Sequence, residues 1–154
     1  MLCCSTQEKV RGLDRLLYSL ATEHNPMVMH TALAFRRLEL PEAFCLLRAM
    51  QRLAPRFGKY VHKGIWKSPE EAIDIHAHIR EIDMTGGEEH WQDLFCDLFH
   101  VKLPLNRPLW EGIVCHLSDK DSVFLVRAQH VLGDGLAMFA LLTRALEVVT
   151  DEGA

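Results

Sequence analysis

The run Val123-Phe124-Leu125-Val126-Arg127-Ala128 constrains the fold more than any other stretch of the chain. In a strand, Val123 and Leu125 fall on one face and Phe124, Val126 and Ala128 on the other. A strand that is apolar on both faces belongs in the middle of a sheet, with packed layers above and below it. Gln129-His130-Val131-Leu132-Gly133-Asp134-Gly135 follows directly, and Leu136 to Leu142 is almost wholly apolar. The pattern predicts a central strand, a tight turn, and a helix buried on most sides.

The rest of the chain supplies the layers. Leu13, Leu16, Leu17 and Leu20 recur at the i, i+3, i+4, i+7 spacing of a short amphipathic helix. Pro26 ends that segment, because the residue before a proline is disfavoured in helical geometry. Met27 to Arg36 alternates as a strand, with Met27, Met29, Thr31, Leu33 and Phe35 on one face. Pro41 opens a helix whose inner stripe is Ala43, Leu46, Leu47, Met50 and Leu53. Extended segments are expected near Tyr60–Trp66 and Ile73–Arg80, and a turn at Gly86-Gly87. Trp91, Leu94, Phe95, Leu98 and Phe99 form a helical stripe. Strands then fall at about Trp110–Leu117 and Ser122–His130, joined by the turn Ser118-Asp119-Lys120-Asp121. The expected fold is α+β, a mixed β-sheet with packed helices, in one domain spanning residues 1–154.

With 154 residues, 49% of them hydrophobic, the chain can bury a true core. A net charge of −4 argues against nucleic acid as a partner. No run of apolar residues reaches the length of a membrane span. Five cysteines, Cys3, Cys4, Cys45, Cys96 and Cys115, show no CxxC spacing. They read as free thiols in a reducing compartment, and the last three as small buried apolar side chains.

His130 ends the central strand on the face of Phe124, Val126 and Ala128, while Gln129 points the other way. Desolvation there favours the neutral imidazole that a general base requires. Asp134 is placed to cap the following helix. Gly133 and Gly135 permit tight or left-handed backbone beside it.

This segment resembles the HHxxxDG motif of the CoA-dependent acyltransferases. Among them it is most similar to the wax ester synthase/diacylglycerol acyltransferase family of bacterial type. Leu105-Asn106-Arg107-Pro108-Leu109-Trp110-Glu111 resembles that family's PLWE segment, and Ile73-Asp74-Ile75-His76-Ala77-His78-Ile79 its FDxxxHV segment. Gly12-Leu13-Asp14 and Asn25-Pro26-Met27 resemble its N-terminal landmarks. The resemblance implies one half of a chloramphenicol acetyltransferase-like two-subdomain fold, with the C-terminal subdomain absent. It implies His130 as catalytic base, with Asp134, Gly135 and Gln129 in support, Asp134 pairing with an arginine. Pro108, Leu109, Trp110 and Glu111 become architectural or substrate-channel candidates. The implied reaction moves a fatty acyl group from acyl-CoA, as co-substrate and with no cofactor or metal, to a long-chain alcohol or diacylglycerol. The implied place is cytoplasmic, with peripheral contact at the endoplasmic reticulum, plasma membrane or a lipid droplet. The alternative is a catalytically inactive module that binds a partner or lipid through the face left open by the absent subdomain. Gln129 departs from the motif's leading histidine.

Asp74, His76 and His78 alternate, so a strand here projects all three from one face, where they could hold zinc. The other reading is a polar outer face, which the resemblance to a metal-free family favours. Basic residues of the first half, from Lys9 to Lys67, read as a solvated surface or as help with CoA phosphates.

Overall fold

The computed structural model describes residues 8–22, 25–69, 73–84 and 89–152. Four strands, β1 (Val28–Phe35), β4 (Ile79–Asp83), β5 (Trp110–His116) and β6 (Ser122–Gln129), form one sheet in the order β1-β6-β5-β4. β6 runs antiparallel to both neighbours, and β4 runs parallel to β5, so the sheet is mixed. Every residue of β6 is buried, as its two apolar faces require. Two short strands, β2 (Tyr60–His62) and β3 (Ile65–Lys67), make a separate hairpin. Its turn is Lys63-Gly64, both at positive φ (51° and 73°), the twist that a two-residue hairpin turn demands.

Helices cover both faces of the sheet. On one, α2 (Leu40–Leu53) and α4 (Gly135–Glu152) pack side by side over Phe124, Val126, Ala128 and Val114. Pro41 lies in the first turn of α2, and Glu39 N–H donates to the Glu42 carboxylate at 2.8 Å, so the helix start is capped from within. On the other face, α3 (Glu89–Asp97) and the 3-10 turn Leu98–His100 pack Leu98, Trp91, Leu94 and Phe95 over Ile113, Cys115, Val123 and Leu125. Burying one such side chain is worth about 1.5–3 kcal/mol before conformational entropy is counted. Gly112 makes the fit possible: a Cβ there would lie 2.9 Å from Cε2 of Phe124 and 3.3 Å from Cδ1 of Leu47.

The structure departs from the sequence expectations in several places, among them Tyr60–Trp66, which is the β2–β3 hairpin and not one extended segment. The Ile73–Arg80 segment is no continuous strand: Ile75–His78 is a 3-10 turn capped by Asp74, and β4 begins at Ile79. The alternation of Asp74, His76 and His78 therefore does not form a common face. The first turns of α4 are open to solvent, with Leu136 78% and Phe139 60% exposed, against the expectation of burial on most sides. The first helix, α1 (Gly12–Leu20), keeps its leucine stripe but leaves Leu13, Leu16 and Leu20 at least half exposed. Both helices thus turn apolar residues outward, which periodicity alone cannot distinguish from inward packing. Cys45 and Cys96 are exposed, and only Cys115 of the three internal cysteines is buried. Left-handed backbone is absent at Gly133, which is extended (φ 161°), and at Gly135. Cys3, Cys4 and the Gly86-Gly87 turn lie outside the described residues.

Candidate functional site around His130

At the C-terminal end of β6 the chain bends through a 3-10 turn, His130–Leu132, rather than extending the strand through His130. Three backbone hydrogen bonds hold the bend. Gln129 N–H donates to Leu109 O at 2.9 Å, His130 N–H to Met27 O at 2.8 Å, and Gly133 N–H to His130 O at 3.3 Å. The turn is therefore tied to the residues that lead into β5 and β1. Val131 anchors it from below, buried with Val10, Val61, Trp66 and Leu109, and α1 packs against it. A turn fixed on this many sides presents its side chains in one geometry.

The His130 ring is partly buried, and its Nδ1 is buried with no hydrogen-bond partner among the described residues. A histidine serving the fold alone normally spends its ring nitrogens on partners, because an unpaired buried polar atom costs about 1–3 kcal/mol. An uncommitted imidazole at a rigid bend is able to take a proton from a hydroxyl brought against it. Asp134 is exposed and caps α4: Oδ1 accepts from Ala137 N–H at 2.8 Å, and its carbonyl accepts from Met138 N–H at 2.9 Å. No ion pair joins Asp134 to an arginine among the described residues. A Cβ on Gly135 would meet nothing within 4 Å, so the space in front of it is open.

Gln129 is 5% exposed and lies on the opposite side of the strand end, where it lines a cavity of about 160 Å³ with Tyr18, Pro26, Val28, Leu103 and Leu105. The four residues Pro108 to Glu111 separate in role. Leu109 and Trp110 are sealed in the core at 0% and 1% exposure, with the Trp110 indole N–H donating to Phe57 O at 2.6 Å. Glu111 pairs with Arg127, and Pro108 borders a surface pocket.

No local pattern in the sequence singles out Arg127, yet among the described residues it is the largest buried charged side chain, 2% exposed. It stands opposite Glu111 in the β5–β6 register and pairs with it. Its Nη2 donates to Leu98 O at 2.9 Å and to Val101 O, which fastens the connector after α3 to the sheet, and its Nε donates to His30 Nε2 at 3.5 Å. His30, stacked on Phe99 at 4.2 Å, lies beside the guanidinium, and burial together with that charge pushes its pKa down to about 4. The only signal in the sequence was a charge of each sign on two otherwise apolar strands.

His78 lies next to β4, 4% exposed, with Nδ1 donating to Trp110 O at 2.9 Å, while His76 is exposed and meets the Phe44 ring edge-on at 4.2 Å. Among the described residues no three His, Cys, Asp or Glu side chains group to hold a metal ion. No helix among them is long and apolar enough to cross a membrane.

Comparison with known proteins places this geometry. Wax ester synthase/diacylglycerol acyltransferase 1 of Arabidopsis thaliana is 23% identical over 113 residues, 66% of this chain and 24% of the relative. The chain thus spans about a quarter of the length of the curated relatives it matches. Among solved structures, the wax ester synthase/diacylglycerol acyltransferase of Marinobacter aquaeolei VT8 superposes with a TM-score of 0.70 at 18% identity, covering 89% of this chain and 36% of that one. A substituted starter condensation domain of rhizomide synthetase RzmA, solved in complex with C8-CoA and Leu-SNAC, gives 0.71 at 13% identity, covering 92% and 34%. The α+β fold is therefore that of the condensation-domain and chloramphenicol acetyltransferase-like proteins. Residues 10–154 match the wax ester synthase/diacylglycerol acyltransferase catalytic domain, and the chain belongs to that family of acyltransferases.

Proposed function

We propose that this chain carries the histidine-bearing N-terminal subdomain, residues 1–154, of an O-acyltransferase that transfers a fatty acyl group from acyl-CoA to a long-chain alcohol or diacylglycerol. His130 takes the proton of the acceptor hydroxyl. The oxygen attacks the thioester carbonyl, the C–S bond breaks, and the CoA thiolate leaves and recovers the proton from the imidazolium. The product is a wax ester or a triacylglycerol. Acyl-CoA is the co-substrate, and the chemistry as written needs no cofactor. Asp134 shapes the turn as a helix cap, and Pro108 to Glu111 hold the neighbouring strand in place. The observation that carries this reading is the His130 ring, uncommitted at a bend tied to two other strands. Family membership supports the reaction class, and the complex of the RzmA domain with C8-CoA supports a CoA thioester as donor. A second subdomain would supply the other wall of the channel, and peripheral membrane contact would bring the lipid acceptor.

The test is CoA release from palmitoyl-CoA in the presence of hexadecanol, by the chain joined to the C-terminal portion of a family member. His130→Ala is expected to lower turnover by about 10²–10⁴-fold, the usual worth of a positioned base. Turnover within a few-fold of the unsubstituted protein would remove the assignment. The exposure of Leu136, Phe139, Leu13, Leu16 and Leu20 favours one second reading, an inactive module that binds a partner or lipid through exposed apolar side chains. That reading predicts no CoA release from either form.

A further inference from the structure

His78 and His130 stand at the same end of the sheet. Ile79 pairs with Gly112 and Trp110 with Ala128, so β5 lies between them. The acyl-transfer reading makes no use of His78, yet its surroundings are those of a binding group. Its Nδ1 must donate, because its partner, Trp110 O, can only accept. The ring also lies against the Trp110 indole at 4.5 Å, so its orientation is fixed. Burial pushes its pKa below the ordinary histidine range and keeps it neutral near pH 7. Nε2 therefore carries a lone pair, makes no hydrogen bond among the described residues, and belongs to a side chain that lines a pocket of about 180 Å³.

Arg107 lines the same pocket. Its Nη1 donates to Ala77 O at 2.9 Å, which braces the guanidinium beside His78, and its buried Nε has no partner among the described residues. Pro69, Ile73 and Pro108 supply apolar wall, and Asp74 sits at the rim. The pocket thus offers one fixed acceptor, one guanidinium with donors to spare, and greasy sides. A hydroxyl both donates and accepts, so it suits an acceptor and a donor alike. A carboxylate has no proton for Nε2 and meets Asp74, and an ammonium has no lone pair for Arg107. The pocket is open to the surface, and about 180 Å³ leaves room for a body of a few carbons.

We propose that the pocket between His78 and Arg107 is a second ligand site, one that takes a short neutral alcohol with its hydroxyl hydrogen-bonded to His78 Nε2. The site is separate from His130 and does not depend on the acyl-transfer reading.

The experiment is a titration of the intact chain with 1-butanol, butyrate and butylammonium, followed by the ring Cε1–Hε1 signal of His78 in solution NMR. 1-Butanol is expected to move this signal saturably, and the two ions at least tenfold less tightly. Arg107→Met is expected to weaken the butanol response at least tenfold. His130→Ala is expected to leave it unchanged, so this site stands or falls apart from the proposed catalysis. An unmoved signal, a shift that rises linearly without saturating, or an equal response to butyrate would each overturn the proposal.

Discussion

Replacing Glu111 by alanine isolates a largely buried charge pair that joins the two central strands. Arg127 is 2% exposed and the Glu111 side chain 18%, so solvent screens the pair only slightly. Removing the carboxylate strands a guanidinium in the interior, and breaking such a pair costs about 3–5 kcal/mol. Arg127 keeps its bonds to Leu98 O and Val101 O, and these partly solvate it, which places the expected loss at the lower end, about 3 kcal/mol. For a domain of this size that loss lowers Tm by roughly 6–12 °C. Glu111→Gln keeps an acceptor for the guanidinium and removes only the charge, so it should lose about half as much. Urea unfolding followed by tryptophan fluorescence reads both variants, and they should fall in the order alanine, then glutamine, then the unsubstituted chain. A loss under about 1 kcal/mol for Glu111→Ala, the value of an exposed ion pair, would refute the picture of a buried and mutually dependent pair.

Three further outcomes are expected. His30, held near a pKa of about 4 by burial and by Arg127, stays neutral in the native state while an unfolded histidine protonates below about 6.5. Stability is therefore full above pH 6.5 and falls towards pH 4 by about 1.4 kcal/mol per pH unit in that window. Urea midpoints at pH 7 and pH 4.5 should differ less in His30→Phe than in the unsubstituted chain, and an equal difference would exclude His30 as the cause. Gly112→Ala drives a methyl group against the Phe124 ring and should cost about 1–3 kcal/mol by the same unfolding assay, whereas no loss would mean that the ring gives way freely. Burial pushes the Cys115 thiol up to about 11, so iodoacetamide at pH 8 should label Cys45 and Cys96 and spare Cys115 in the folded protein, as peptide mass spectrometry would show.

Where the residues themselves carry the cause, the sequence could be read. Val123 to Ala128 announced a central strand because no other place in a sheet buries both faces. Asp134 announced a helix cap because its carboxylate reaches the free N–H groups of the next turn. Three features escaped for physical reasons. An apolar stripe says which residues share a face but not what covers it, so the exposure of Leu13, Leu16, Leu136 and Phe139 had no local signal. Alternation in five residues fits a strand and a tight turn alike, and at Ile75–His78 the hydrogen bond from His76 N–H to the Asp74 carboxylate decides for the turn. The Arg127–Glu111 pair depends on register between strands, which is a property of the pairing and of neither strand alone.

The wiring of the main sheet also governs when it can form during synthesis. β1 pairs only with β6, from Val28↔Gln129 to Phe35↔Ser122, and β4 has only β5 as its neighbour. A ribosome that has released residues 1–100 has therefore delivered two of the four strands and no partner for either. β5 emerges next and can pair with β4, whereas β6, the partner of β1, is the last strand to emerge, and loops of this length close slowly. Until Gln129 clears the exit tunnel, β1 lacks its partner along its full length, and during that interval a chaperone that shields such an edge has its work to do.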